Sequence, residues 1–174
     1  MLAVVVNANL AAAAAGGAAL AAYAVCARLQ VFAGMPQVGI SNLARTLRTR
    51  RLGLFATLGY GILAAVVLSL AADPLVRLFV DDPATATLAA HALRILSVGI
   101  AAAGVAPLLA GYYQAIGRAT PSYLISIGTV VVIKLPLVLV ASAHSAEAIW
   151  VALSAGECLA ALAALALSRY RRTA

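Results

Sequence analysis

Three charged residues interrupt long apolar stretches of this chain: Arg28, Lys134 and Glu157. A charge at bilayer depth is costly against lipid, so each is expected to face a cavity, a partner group or the bundle interior. Glu157 can form a neutralising pair with Lys134 or with Arg28. A carboxylate in that setting can hold a proton or a cation, and the same geometry also serves as a structural ion pair. Gln30, Asn42, Tyr112, Tyr113 and Gln114 add polar groups near the arginine-rich ends of two stretches. Tyrosines and glutamines there line a substrate path or belong to an interfacial belt. The pathway candidates are therefore Arg28, Gln30, Tyr112, Gln114, Lys134 and Glu157. Arg94 sits about two turns into its stretch, where its stem can snorkel toward the nearer surface.

Other chemistries find no support. There is no nucleotide-binding P-loop, no Gly-x-Ser-x-Gly and no His-Glu-x-x-His, and no grouped Ser, His and Asp set, so no catalytic residues and no enzyme are expected. Cys26 and Cys158 lie inside apolar stretches and read as small core residues. His91 and His144 have no companions at ligand spacing, so no metal site is expected. Without a nucleotide motif, any transport would draw on an ion gradient or on a separate subunit.

The elements that must position these residues are five apolar stretches, roughly 10–40, 53–72, 86–113, 122–141 and 146–167. Each approaches the ~20 residues needed to cross a bilayer. The 174 residues are 65% hydrophobic and 10% charged, too few charges to cover a soluble surface, for which about 25% is usual. In lipid the backbone must satisfy its own hydrogen bonds, by helices or a closed barrel. Period-two alternation is absent, so the fold class is all-α. The expectation is a polytopic membrane protein of about five transmembrane helices, with residues 1–174 as a single helical domain. The net charge of +7 does not indicate nucleic acid, because the arginines fall at helix ends.

Arg45, Arg48, Arg50 and Arg51, then Arg118, then Arg169, Arg171 and Arg172 occupy one set of connections. Asp73, Asp81, Asp82 and Glu147 occupy the other. The positive-inside rule puts the arginine ends and the C-terminus in the cytoplasm, giving a multi-pass protein of the inner or plasma membrane. Residues 73–82 are then external, with a short interfacial helix. The first stretch has no basic n-region and is too long for a signal peptide. An external N-terminus without an anchor leads to the expectation that further chain precedes Met1. Pro36, Pro107 and Pro136 each remove a backbone donor within a stretch and predict kinks or hinges. Packing alone is the other reading of these prolines and their glycine neighbours.

The order of local motifs resembles the multidrug and toxic compound extrusion (MATE) transporters. The segment AAYAVCARLQVFAGMPQVGISNLAR is similar to a helix of that family's C-terminal half, through Ala21-Ala22-Tyr23, Arg28, Met35-Pro36 and Gly39. DPLVRLFVDD (Asp73–Asp82) resembles its external segment, and GYYQAIGRATPSY (Gly111–Tyr123) its Gly-Arg turn. Lys134-Leu135-Pro136-Leu137 resembles the helix that follows. Ala148–Ala152 and Glu157 are similar to its last helix. The resemblance runs from about residue 10 to 168 and implies the last five of twelve helices, a partial C-terminal lobe. It departs from the family where a Gly-Gln-Asn-x-Gly-Ala stretch would follow Gly39.

The resemblance implies secondary active efflux by alternating access, exchanging H⁺ or Na⁺ for small organic, often cationic, compounds. It implies no cofactor beyond that gradient. Its partners would be the lipid bilayer and a missing N-terminal lobe, in the same chain or a separate one. Most of the family's ion-coupling acids would lie in that lobe, leaving Glu157 as the candidate here. Two alternatives stand beside it. One is a lipid-linked-precursor flippase of the same superfamily, which a broad cationic cavity around Arg28 and Lys134 would favour. The other is a non-transporting membrane or assembly protein, in which Glu157 affects only packing.

Overall fold

The computed structural model describes residue 6, residues 16–46 and residues 49–170. Eight α-helices and one π-helical segment occupy the described residues after residue 6: α1 Gly16–Thr46, α2 Arg50–Leu70, α3 Ala72–Arg77, α4 Pro83–Ala103, α5 Val105–Ala115, α6 Ala119–Tyr123, the π-helical segment Leu124–Lys134, α7 Leu135–Ser142 and α8 Ala146–Tyr170. They combine into five spans long and apolar enough to cross a membrane: Gly17–Leu43, Arg50–Leu70, Pro83–Ala115, Ala119–Ser142 and Glu147–Arg169. Large aliphatic and aromatic side chains point outward, among them Phe55, Leu70 and Val132, each more than 70% exposed. That is the inverse of a soluble surface and fits lipid as the solvent.

The expected order of five helices holds, and the ends shift. Helix one runs on past residue 40 to Thr46, and the part of that stretch at 10–15 lies outside the described residues. Arg50 and Arg51 form the first turn of α2 instead of a loop. Arg48, Arg171 and Arg172 lie outside the described residues.

Local chemistry explains the boundaries. Asp82 starts α4: its carboxylate accepts from the Thr85 backbone N–H at 2.8 Å and the Thr85 hydroxyl at 2.6 Å, with Pro83 in the first turn, where no donor is missed. Gly117 ends α5 at φ +76°. Its N–H bonds to the Gln114 carbonyl and that of Arg118 to Tyr113 at 2.8 Å, a reversal that favours a residue without Cβ. The third span breaks at Gly104, three residues before Pro107, because Pro107 offers no N–H to the Ala103 carbonyl. Pro136 marks a change of winding: the π-helical segment stops at Lys134, and the Leu135 N–H bonds five residues back to Val130. Helix α1 continues through Pro36 without interruption.

Helix α4 is the centre of the bundle and packs against α1, α2 and α8. One core joins Cys26, Leu29, Leu93, Leu96 and Trp150. A second joins Leu108, Leu109, Ile125 and Ala164 toward the arginine-bearing end. The Cys26 thiol donates to the Ala89 carbonyl at 3.4 Å, as a small core residue would. The Tyr60 hydroxyl donates to the Ala33 carbonyl at 3.0 Å and ties α2 to α1.

Candidate functional site

Glu157 lies about 16 Å along α8 from Ala146, close to halfway across a ~30 Å hydrocarbon core. Its carboxylate is bridged by Lys134, with Nζ to Oε1 at 2.6 Å. The two side chains are 17% and 29% exposed, so the pair is largely withdrawn from its surroundings. Of the two partners open to Glu157 from sequence, the fold selects Lys134. Gly156 permits this, since a Cβ there would stand 3.3 Å from Lys134 Cγ. Gly99 brings α4 up on the other side: a Cβ there would stand 2.9 Å from Ser154 Cα and 3.5 Å from Glu157 Cγ.

These approaches frame a cavity of about 350 Å³ between α1, α4 and α8. Its polar lining is Tyr23, Gln30, Gln37, Ser154 and Glu157; Gly34, Leu96, Gly99, Ile100, Ala103 and Leu153 supply the apolar wall. Two of the polar groups are held in place: Gln37 Nε2 donates to the Ile100 carbonyl at 3.1 Å, and Ser154 Oγ to Ile95 at 2.6 Å. The carboxylate thus borders a pocket of neutral dipoles, with one fixed cation beside it. Such a group can exchange its ammonium partner for a proton or for another cation.

The fold sets Gln30 and Glu157 on one cavity, pairs Glu157 with Lys134, and leaves the other candidates elsewhere. Arg28 is exposed on α1, about 200° around the helix from Gln30 at 100° per residue. Tyr112 packs edge-on to Tyr113, with ring centroids 5.8 Å apart. Gln114 lines a separate cleft with Gly117, Ala119, Ser122 and Tyr123. Arg94 pairs with Asp73 at the acidic end, where His91 and Glu147 also meet at 3.1 Å. Tyr23, Gln37 and Ser154 also line the cavity, beyond the candidates that charge and depth single out. A signal was present, because Tyr23, Gln30 and Gln37 recur every seventh residue and so share one face of α1.

The family model described as MatE matches residues 47–140, more than half of the chain. The chain belongs to the MatE family. Members of this family are membrane transporters, and the five apolar spans make this MatE chain a membrane-embedded helical protein. No curated protein and no solved structure matches it. The matched segment carries Lys134 and the α4 wall of the cavity; α1 and Glu157 lie outside it.

Proposed function

We propose that this MatE chain forms part of a secondary active multidrug transporter. It exchanges H⁺ or Na⁺ for small organic, often cationic, compounds by alternating access, working against a second helical lobe in the inner or plasma membrane. The observation that carries this reading is the Lys134–Glu157 bridge, whose carboxylate lines a mid-span cavity together with Tyr23, Gln30, Gln37 and Ser154. A carboxylate at that depth has three competing occupants: the Lys134 ammonium, the coupling H⁺ or Na⁺, or the cationic substrate itself. Loading one requires displacing another, which is the coupling an exchanger needs.

The charge layout favours organic cations over lipid-linked anions. A flippase for anionic precursors would use a broad cationic cavity. Here Lys134 is neutralised by Glu157, and Arg28 stands on the opposite face of α1.

The test is gradient-driven dye efflux in inverted vesicles containing the whole working transporter. Glu157→Gln is expected to bring flux to background, while Glu157→Asp retains part of it. Unchanged flux in an assembled Glu157→Gln protein would overturn the assignment.

A further inference from the structure

Arg28 sets a problem that the rest of the described chain leaves unsolved. It lies about 16 Å along α1 from Gly17, near the middle of its span. It is exposed, and it forms no hydrogen bond or ion pair among the described residues. A guanidinium at that depth facing acyl chains is costly enough that such groups face protein or water.

The chain has five acidic residues. Four of its carboxylates are engaged elsewhere, and the fifth, Asp81, lines a cleft with Asp73 and Arg77 at the acidic end. Asp73 holds Arg94, Glu147 meets His91 and Glu157 holds Lys134. Asp82 caps α4, and Asp81 stands beside it in the turn before that helix. The compensating anion must therefore come from outside this chain.

The surface around Arg28 says what kind of body carries it. The exposed positions Ala21, Ala24, Arg28, Val31, Met35 and Val38 recur at alternating spacings of three and four residues. That is the seam by which one helix packs on another. Small residues lie on one side of Arg28 and larger apolar ones on the other, where α1 and the Gly104–Pro107 break enclose a groove of about 470 Å³. A lipid-facing stripe would not carry the arginine, and a water-filled cleft would not need the apolar run. A second copy docked in parallel on this face would set two Arg28 guanidiniums at the same depth, so it is disfavoured.

We propose that this stripe of α1 docks a transmembrane helix of another protein segment, one that carries an Asp or Glu at the depth of Arg28. The inference rests on the reading that the bundle works against a second helical unit, and it adds the chemistry of the contact. The ion pair fixes depth and rotation, and the groove receives the larger side chains of the docked helix.

The experiment places a photo-crosslinking amino acid at Val31 in the chain expressed in its native membranes, and maps the crosslinked peptide by mass spectrometry. The expected adduct is an apolar helical segment with an Asp or Glu within one turn of the crosslinked position. Arg28→Ala should lower the yield more than about tenfold, as removal of one member of a desolvated pair does. Arg28→Lys should retain most of it, which guards against misfolding of the alanine variant. Arg28→Glu combined with reversal of the mapped acid to Arg should restore it. A mapped helix without an acid, or an Arg28-independent yield, overturns the inference and leaves the two-lobe reading standing. Adducts to lipid alone, or to a second copy alone, overturn the inference; the exchange reading is judged separately by the dye-efflux test.

Discussion

Lys134 and Glu157 join two spans at mid-depth: their side chains meet at 2.6 Å, and Lys134 Cγ lies 3.3 Å from where a Cβ on Gly156 would stand. The pair and the glycine form one device, because the lysine needs the space that the missing side chain leaves. Removing one charge strands the other, largely withdrawn from solvent and with only neutral groups beside it, which costs about 3 kcal/mol for a buried pair. Both Glu157→Gln and Lys134→Met should therefore lower stability in detergent, and the double variant should recover much of the loss. Unfolding measurements on all four proteins give the coupling. A double variant as unstable as the sum of the two singles would show that the bridge contributes nothing as a pair.

Helix packing at the cavity depends on Gly99. A methyl group there would stand 2.9 Å from Ser154 Cα, a backbone atom that cannot turn aside. Gly99→Ala should cost about 1–3 kcal/mol by forcing α4 from α8. Gly59 provides the contrast, since a Cβ on it meets nothing within 4 Å. Gly59→Ala should stabilise α2 by about 0.5–1 kcal/mol through helix propensity alone. Equal effects of the two changes in thermal unfolding would remove the close-approach argument.

Hydropathy made the five spans legible because each needs only length and apolar character. The positions of Lys134 and Glu157 were legible as costly charges, but their pairing was not. It depends on which faces of α8 and of the fourth span meet, and Arg28 was an equal candidate until the fold turned it away from the cavity. Pro107 announced a disturbance, yet the break falls at Gly104, because proline starves a carbonyl in the preceding turn. The π winding of Leu124–Lys134 has no counterpart in apolar periodicity, since Ser126, Gly128 and Thr129 interrupt the apolar run without marking a five-residue turn. Tyr23 and Gln37 were readable as partners of Gln30 by spacing, and were passed over because uncharged groups in a membrane helix raise no alarm singly.

Outside the spans, Asp82 links pH to the start of α4. The Thr85 hydroxyl, then the Thr85 backbone N–H, hold its carboxylate below its ordinary value of 3.8. A depressed carboxylate contributes stability above its unfolded value and loses it as pH falls through the folded one. The Asp82 carboxyl should thus titrate below 3.8 when followed by ¹³C NMR. Protection of the Thr85 amide, taken relative to its intrinsic exchange rate at each pH, should fall only as the cap protonates. Asp82→Ala should give fast exchange at neutral pH. A midpoint at or above 3.8 would rule out the cap as the source of the shift.

The two ends of the bundle are chemically distinct, and this makes orientation testable. Arg50 reaches the Ser168 hydroxyl at 3.0 Å and so gathers the arginine-bearing ends of α2 and α8. The His91–Glu147 and Arg94–Asp73 contacts gather the acidic ends on the other side. If the arginine end is cytoplasmic, as charge bias requires, exposed positions at the two ends should differ in access. In a Cys26→Ala, Cys158→Ala background, Ser145→Cys should react with a membrane-impermeant maleimide added to intact cells. Ala119→Cys, at the Gly117 turn, should react only after the membrane is opened. The reverse pattern would invert the topology. It would also place Glu147 and Asp73 inside, and the proposed exchange at Glu157 would then run in the opposite sense across the membrane.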